Sequence, residues 1–230
     1  MRNQLLLDLA RDDRKNVLKL LEYVRLPIRT VLCEMGKPIQ HAYFINDGLA
    51  SILTVMSSGK SVEVGLAGPE GFVGVPLIAG FKTSPTRVIM QIEGSAFRIS
   101  AKNLALLLRD HEPLNHSLER YSQEVALQAV QIAACNQLHA VDARLARWLL
   151  MSQDRIDGNV VPLTQEFLSH MLGTRRASVT VAAAMLQKTG SISYERGRTT
   201  IANRQGLEKA ACECYGILRK QSRAWKAESR

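Results

Sequence analysis

The stretch Arg175-Arg176-Ala177-Ser178-Val179-Thr180 gathers two guanidinium groups and two hydroxyls into a few residues. An arginine presents a planar fork of donors that matches O6 and N7 of guanine, whereas serine and threonine hydroxyls bond to bases or phosphates more weakly. The chemistry available is therefore hydrogen-bonded recognition of a nucleic acid, with Arg175, Arg176, Ser178 and Thr180 as candidate base readers. Thr164, Thr174, Arg196, Arg198 and Thr199 lie to either side and are candidate phosphate contacts, which set register without reading sequence.

Such groups need a frame. Thr164 is placed to accept from the first amides of a helix running from Gln165 to about Leu172, and Gly173 permits the left-handed turn that ends it. A second helix is expected from about Arg175 to Gln187, capped by Thr174, with Val179, Ala182, Ala183 and Leu186 packed inward. Two helices joined by so short a turn make a helix-turn-helix, whose second helix enters the major groove by its N-terminal end. Ser191 to Glu195, a turn at Arg196-Gly197 and Arg198 to Ala202 then form a hairpin, so the motif is winged. Upstream, Asp142 to Met151 reads as a helix with Leu145, Trp148 and Leu149 on one side and Arg144 and Arg147 exposed. Asp157-Gly158-Asn159 reads as a turn.

The first half of the chain has another grain. Asn16 to Tyr23 reads as a short amphipathic helix ending before Leu26-Pro27, part of a helical N-terminal layer. From Ile28 to Ser100 the period shortens, and turns are expected at Gly36-Lys37-Pro38, Asn46-Asp47-Gly48, Ser58-Gly59-Lys60, Gly65, Gly68-Pro69, Gly71, Gly74 and Gly94. They separate strands at Leu49 to Met56, Ser61 to Leu66, Arg87 to Ile92 and Ala96 to Ile99. With no crossover helices between them, the strands predict an antiparallel β-roll or barrel. Ala101 to Arg109 is a helix, and a longer one follows Pro113. Along it Leu114, Leu118, Tyr121, Val125, Gln128, Ile132 and Cys135 recur at intervals of three and four, the spacing of a dimer seam. The same spacing also suits a helix laid against the roll of its own subunit.

The 230 residues suffice for two compact domains, and the fold class is α+β: an N-terminal antiparallel β-roll over residues 1–110, a long dimerisation helix over 111–138 and a C-terminal winged helix-turn-helix over 139–230. The formal charge is +9, and residues 139–230 alone carry 15 basic against 8 acidic side chains, which favours a polyanionic partner. No apolar run is long enough for a membrane span, and the charged N-terminus lacks the pattern of a secretory signal, so a cytoplasmic protein is expected. Cys33, Cys135, Cys212 and Cys214 are too few and too unevenly spaced for a disulfide scaffold.

In this domain order the chain resembles the Crp/Fnr family of bacterial transcription regulators, which join a cyclic-nucleotide-binding-like roll, a dimerisation helix and a winged helix-turn-helix. The local match runs from Leu163-Thr164-Gln165-Glu166-Phe167 through Leu172-Gly173-Thr174-Arg175-Arg176-Ala177-Ser178-Val179-Thr180 to Gly190-Ser191-Ile192-Ser193-Tyr194. The resemblance implies a homodimer on double-stranded DNA at an inverted repeat, with RNA polymerase and an unidentified small-molecule effector as further candidate partners and no membrane. It also implies that a signal in the roll alters the helix seam and hence the spacing of the two reading heads.

Departures from the family pattern bear on the signal. Cyclic-AMP-binding members carry a glutamate for the ribose in a Gly-Glu-Leu segment and an arginine for the cyclic phosphate. Here the first segment reads Gly71-Phe72-Val73-Gly74, and the arginine position falls near Lys82 or Ser84, with Arg87 a displaced candidate. Gly71, Phe72, Val73, Lys82, Ser84 and Arg87 are thus the candidate effector pocket, and cyclic AMP is not the expected ligand. An iron–sulfur cluster is not expected, because only Cys33 precedes Cys135, and His41 and His116 are not assigned to haem. No metal site is assigned, and Cys212-x-Cys214 reads as part of a C-terminal helix. Where the best-known members read bases with Arg-Glu and a later arginine, this chain has Arg176-Ala177 and Val181, so its operator should differ. The alternatives are a constitutive DNA-binding protein whose roll is a dimerisation scaffold and, more remotely, an enzyme using the roll as its pocket, for which His41, Glu63, Glu70 and Glu93 show no catalytic spacing.

Overall fold

A computed structural model describes residues 1–162, 164–195 and 197–228. The chain divides into two compact units, Met1–Val55 with Gly65–Val125, and Met56–Val64 with Ala126–Arg230.

The first unit begins with α1 (Gln4–Leu7) and α2 (Arg11–Leu18). Asn3 caps α1, its side-chain oxygen accepting from Leu6 N, and its amide donates to the carbonyls of Ile45 and Gly71 at 2.8 Å each. The helix expected over Asn16 to Tyr23 is displaced toward the N-terminus. Residues 22–26 instead form β1 (Glu22–Leu26), which pairs with β6, and the Tyr23 ring meets Phe97 edge-on at 5.5 Å. Here long-range strand pairing overrides a local helical period.

After β1 come β2 (Val31–Cys33), β3 (His41–Val55), β4 (Ser61–Ala67), β5 (Phe72–Val73), a single 3-10 turn at Val75–Leu77, and β6 (Arg87–Ser100). They form an antiparallel sheet in the order β1-β6-β3-β4, with β2 also on β6 and β5 on β3, as a β-roll requires. Three expected turn positions prove to lie inside strands, Gly65 within β4 among them. Asn46-Asp47-Gly48 is a bulge within β3, with register shifts on both sides, and the strands expected on either side of Gly94 are one strand, β6. The physical reason is close approach. Gly48 takes a φ of +82° against the carbonyls of Ile92 and Glu93, and a Cβ on Gly94 would collide with the backbone of Asp47. The Asp47 carboxylate then accepts from the Ser95 hydroxyl at 2.7 Å and the Asn46 amide at 3.0 Å.

Alternation along these strands sorts residues into two cores. Phe44 and Phe72 join Leu6, Ile99 and Leu104 in one, their rings 4.9 Å apart, while Ile45 and Val73 join Met90 and Ala96 in the other. Helix α3 (Ala101–Asp110), capped by Ser100, leads into α4 (Glu112–Leu138). Leu114, Leu118 and Tyr121 of α4 are buried in the same core as Phe72.

The second unit contains α5 (Val141–Gln153), β7 (Val160–Val161), α6 (Gln165–Met171), α7 (Arg176–Lys188), β8 (Ile192–Glu195), β9 (Arg198–Ile201), α8 (Arg204–Ala210) and α9 (Cys214–Glu228). Strands β7, β9 and β8 make a small antiparallel sheet. Leu145, Trp148 and Leu149 of α5 are buried as expected, but Arg144 and Arg147 are not on the surface, being 7% and 2% exposed. Residue spacing marked a polar side for α5, yet neighbours cover the helix all round. Glu63, which showed no catalytic spacing in the sequence, is buried too and accepts from the Trp148 indole N–H at 2.8 Å. Among the described residues no helix is long and apolar enough to cross a membrane.

Gly94→Ala should lower the unfolding free energy by about 1–3 kcal/mol in urea titration, since the sheet has no room for a methyl group. Gly216→Ala in α9, where a Cβ meets nothing within 4 Å, should instead be neutral or stabilising by up to about 1 kcal/mol.

Candidate nucleic-acid interface

The interface is built from the end of α6 onward. Thr164 is the N-cap of α6, its hydroxyl accepting from Phe167 N at 3.2 Å. At the other end the backbone turns at Gly173, with φ +58°, and the amides of Gly173 and Thr174 bond back to the carbonyls of His170 and Ser169 at 3.2 and 3.0 Å. Buried Arg144 donates to the Leu172 carbonyl, satisfying an acceptor that the helix end would otherwise leave bare.

Helix α7 begins at Arg176, one residue later than its spacing predicts. Arg175 is the N-cap and makes no side-chain capping bond, so Thr174 stands outside the helix rather than capping it. The inward face is the expected one, Val179, Ala182, Ala183 and Leu186. The opposite face presents Arg175, Arg176, Ala177 and Thr180 to solvent, with Ser178 half-buried. The Thr180 hydroxyl donates to the Arg176 carbonyl at 3.1 Å. Val181, 61% exposed, and Met185 lie on this face as well. A list of donors passes over such residues, although apolar contact with the thymine methyl is one of the ways bases are read. Their signal in the sequence was that they fall outside the inward set.

The wing follows in register. Glu195 pairs with Arg198 and Tyr194 with Thr199 across β8 and β9. Arg198 is exposed, whereas Thr199 is 2% exposed and turned into the sheet, so it is no phosphate contact. Period two decides this, because neighbours on a strand point to opposite faces. Arg196 lies outside the described residues.

The six candidate effector residues do not converge. Phe72 and Val73 are buried in opposite cores, and Gly71 is packed beneath the Tyr121 ring with its carbonyl bonded to Asn3. Arg87 is held by Glu34, at 2.8 Å through one terminal nitrogen and at 3.0 Å from Nε to each carboxylate oxygen. This pairing draws the Glu34 carboxyl below its usual range. Lys82 is exposed, and the Ser84 hydroxyl donates to the Thr86 carbonyl at 2.7 Å. Of the six, Ser84 alone lines the cleft of about 980 Å³ found in this unit, whose other walls include Met35, Val75, Ile78, Phe81 and, from α4, Glu119.

Four of the seam residues have partners within this chain, Leu114 and Leu118 among them, both buried in the roll core. Tyr121 is in the roll core, and Cys135 lies with Cys212, Cys214 and His139, four potential metal-binding side chains that sequence spacing had not brought together.

The comparisons agree with this architecture. Residues 23–111 match the model of the cyclic nucleotide-binding domain, and residues 143–210 match the Crp-like helix-turn-helix domain. No curated protein matches the chain. Among solved structures, FixK2 from Bradyrhizobium japonicum superposes with a TM-score of 0.71 at 14% identity, covering 84% of this chain and 98% of that one. CLP, the c-di-GMP responsive global regulator of Xanthomonas campestris, gives 0.68 at 18%, covering 84% and 99%, and a CRP-family transcriptional regulator from Thermus thermophilus gives 0.69 at 20%, covering 82% and 96%. At these identities the likeness establishes the fold. Joined in one chain in that order, the two matched domains make this protein a member of the Crp/Fnr family of transcription regulators.

Proposed function

We propose that the protein reads an inverted repeat in double-stranded DNA as a homodimer. The observation that carries this reading is the division of α7 into a buried face and an exposed N-terminal end bearing Arg175 and Arg176. Arg176 takes guanine O6 and N7, and Val181 meets a thymine methyl in place of a further arginine. Ser178 and Thr180 sit at the margin of the base-reading surface. Arg198 on the wing, with Thr164 and Thr174 before α7, holds the phosphates and sets the depth of α7 in the groove.

The dimer seam lies on another face of α4 than the heptad count indicates. Leu114, Leu118 and Tyr121 are spent inside their own subunit. Ala126, Val130, Ala134 and Leu138 recur every four residues on the exposed side, with Ala133 beside them, and Val130 is 70% exposed. Such a stripe of small and apolar side chains suits a helix packed against its own copy. The pair would set two reading heads about 34–36 Å apart, one helical turn of DNA.

Cyclic AMP is not the signal. The ribose position is filled by a buried phenylalanine, the displaced arginine is neutralised by Glu34, and the cleft wall is mostly apolar. A second reading, a roll serving only as scaffold, is favoured by this same loss of the nucleotide contacts; operator binding unaffected by any small molecule would support it.

Selection of duplexes from fragmented genomic DNA at about 0.15 M salt should recover one inverted repeat, and recovery of random fragments would overturn the reading. On that repeat Arg176→Ala should cost about 1–3 kcal/mol and relax preference at one base pair, while Arg198→Ala should weaken specific and nonspecific duplexes alike. Val130→Glu should convert the dimer to a monomer in light scattering; an unchanged mass would place the seam elsewhere. Calorimetry should show no micromolar binding of cyclic AMP, and such binding would contradict the assignment.

A further inference from the structure

The last turns of α4 carry chemistry that DNA reading does not use. Cys135 lies in the last turn of α4 and His139 directly follows the helix, its N–H still bonded to the Cys135 carbonyl at 3.1 Å, which keeps the two side chains on the same face. Cys212, between α8 and α9, and Cys214, the first residue of α9, reach that face, and the four donor atoms lie within 4.8 Å of one another. Cys135 Sγ stands 3.4 Å from Cys212 Sγ, and Cys214 Sγ 3.6 Å from His139 Nδ1. Four ligands around one zinc ion, with Zn–S near ~2.3 Å and Zn–N near ~2.0 Å, are themselves spaced at roughly 3.5–3.8 Å. These separations suit a single tetrahedral ion and are too tight to span a cluster of several metals.

The surroundings supply an independent observation. The other imidazole nitrogen, His139 Nε2, has the Glu213 carboxylate 3.8 Å away, beyond hydrogen-bond length but on the side from which a carboxylate supports a metal-binding histidine. The Gln131 amide donates to Cys214 Sγ at 3.1 Å, and all three sulfurs are buried. A disulfide between Cys135 and Cys212 would leave both Cys214 and His139 unexplained.

We propose that Cys135, His139, Cys212 and Cys214 form a structural site for one Zn²⁺ ion, fastening the end of α4 to the segment between α8 and α9. Three thiolates and an imidazole in tetrahedral array are the donor set that selects zinc among common divalent ions. The ion closes a loop joining residues 77 apart, so its removal should loosen the winged unit where it meets the helix end.

The test uses the full chain, purified under reducing conditions without a metal-chelating tag. Elemental analysis should find one zinc per chain, and metal-stripped protein titrated with Co²⁺ should show tetrahedral d–d bands with a sulfur-to-cobalt charge-transfer band, saturating at one equivalent and displaced by Zn²⁺. Cys135→Ser and Cys214→Ser should abolish both signals. Should those variants fail to fold, Glu213→Ala, altering an exposed carboxylate outside the ligand set, should still lower zinc affinity about tenfold in competition with a chelator. Zinc below about a tenth of an equivalent with no cobalt bands in the wild-type chain would overturn the proposal. Iron in its place, or full zinc content in the cysteine variants, would overturn it equally.

Discussion

The reading head depends on how α6 is allowed to end. The Ser169 and His170 carbonyls are taken by the amides that follow the helix, and a buried arginine of α5, Arg144, reaches across to donate to the carbonyl of Leu172. Burial lowers the affinity of that guanidinium for its proton, a sign of the desolvation it suffers. The hydrogen bond offsets that cost by satisfying an acceptor which would otherwise be buried without a partner. Gly173 then needs only one left-handed residue to redirect the chain, and α7 leaves with its apolar face against α5 and its arginines outward. Without a fixed end to α6, exposed arginines on α7 would be a charge cluster and not a reader of sequence, because base recognition needs geometry held to a fraction of an ångström.

The same economy of faces governs α4. One side of the helix completes the roll core through Leu114, Leu118 and Tyr121, and its last turns carry Cys135 and His139 toward the C-terminal segment. What remains exposed is a stripe of alanines with Val130 and Leu138. A single heptad count cannot separate these uses, since a helix that packs on two sides has apolar residues in two overlapping series. In the roll, likewise, Phe72 is packed against Phe44 in the core and Arg87 is paired with Glu34.

Much of this was legible in the order of residues. The Thr164 cap, the turn at Gly173, the inward face of α7 and the hairpin after it follow from spacing and backbone preference within a few residues, and each is where it was expected. Local reasoning failed where partners are distant. The helix expected at Asn16 to Tyr23 yields to strand pairing with residues near 97, and Asn46-Asp47-Gly48 bends a strand without ending it because β6 runs alongside. Arg144 and Arg147 looked like surface charge only because nothing nearby in sequence covers them.

The sequence by itself determined the kinds of element, their order and the donors carried on α7, because period, caps and glycine conformation act over one or two turns of chain. Only the tertiary structure decided which face of α4 is already occupied, that Thr199 points into the sheet, and that Cys135 and His139 meet Cys212 and Cys214. Those outcomes depend on contacts between residues tens of positions apart, and such contacts are set by how whole elements pack rather than by any pattern within one of them.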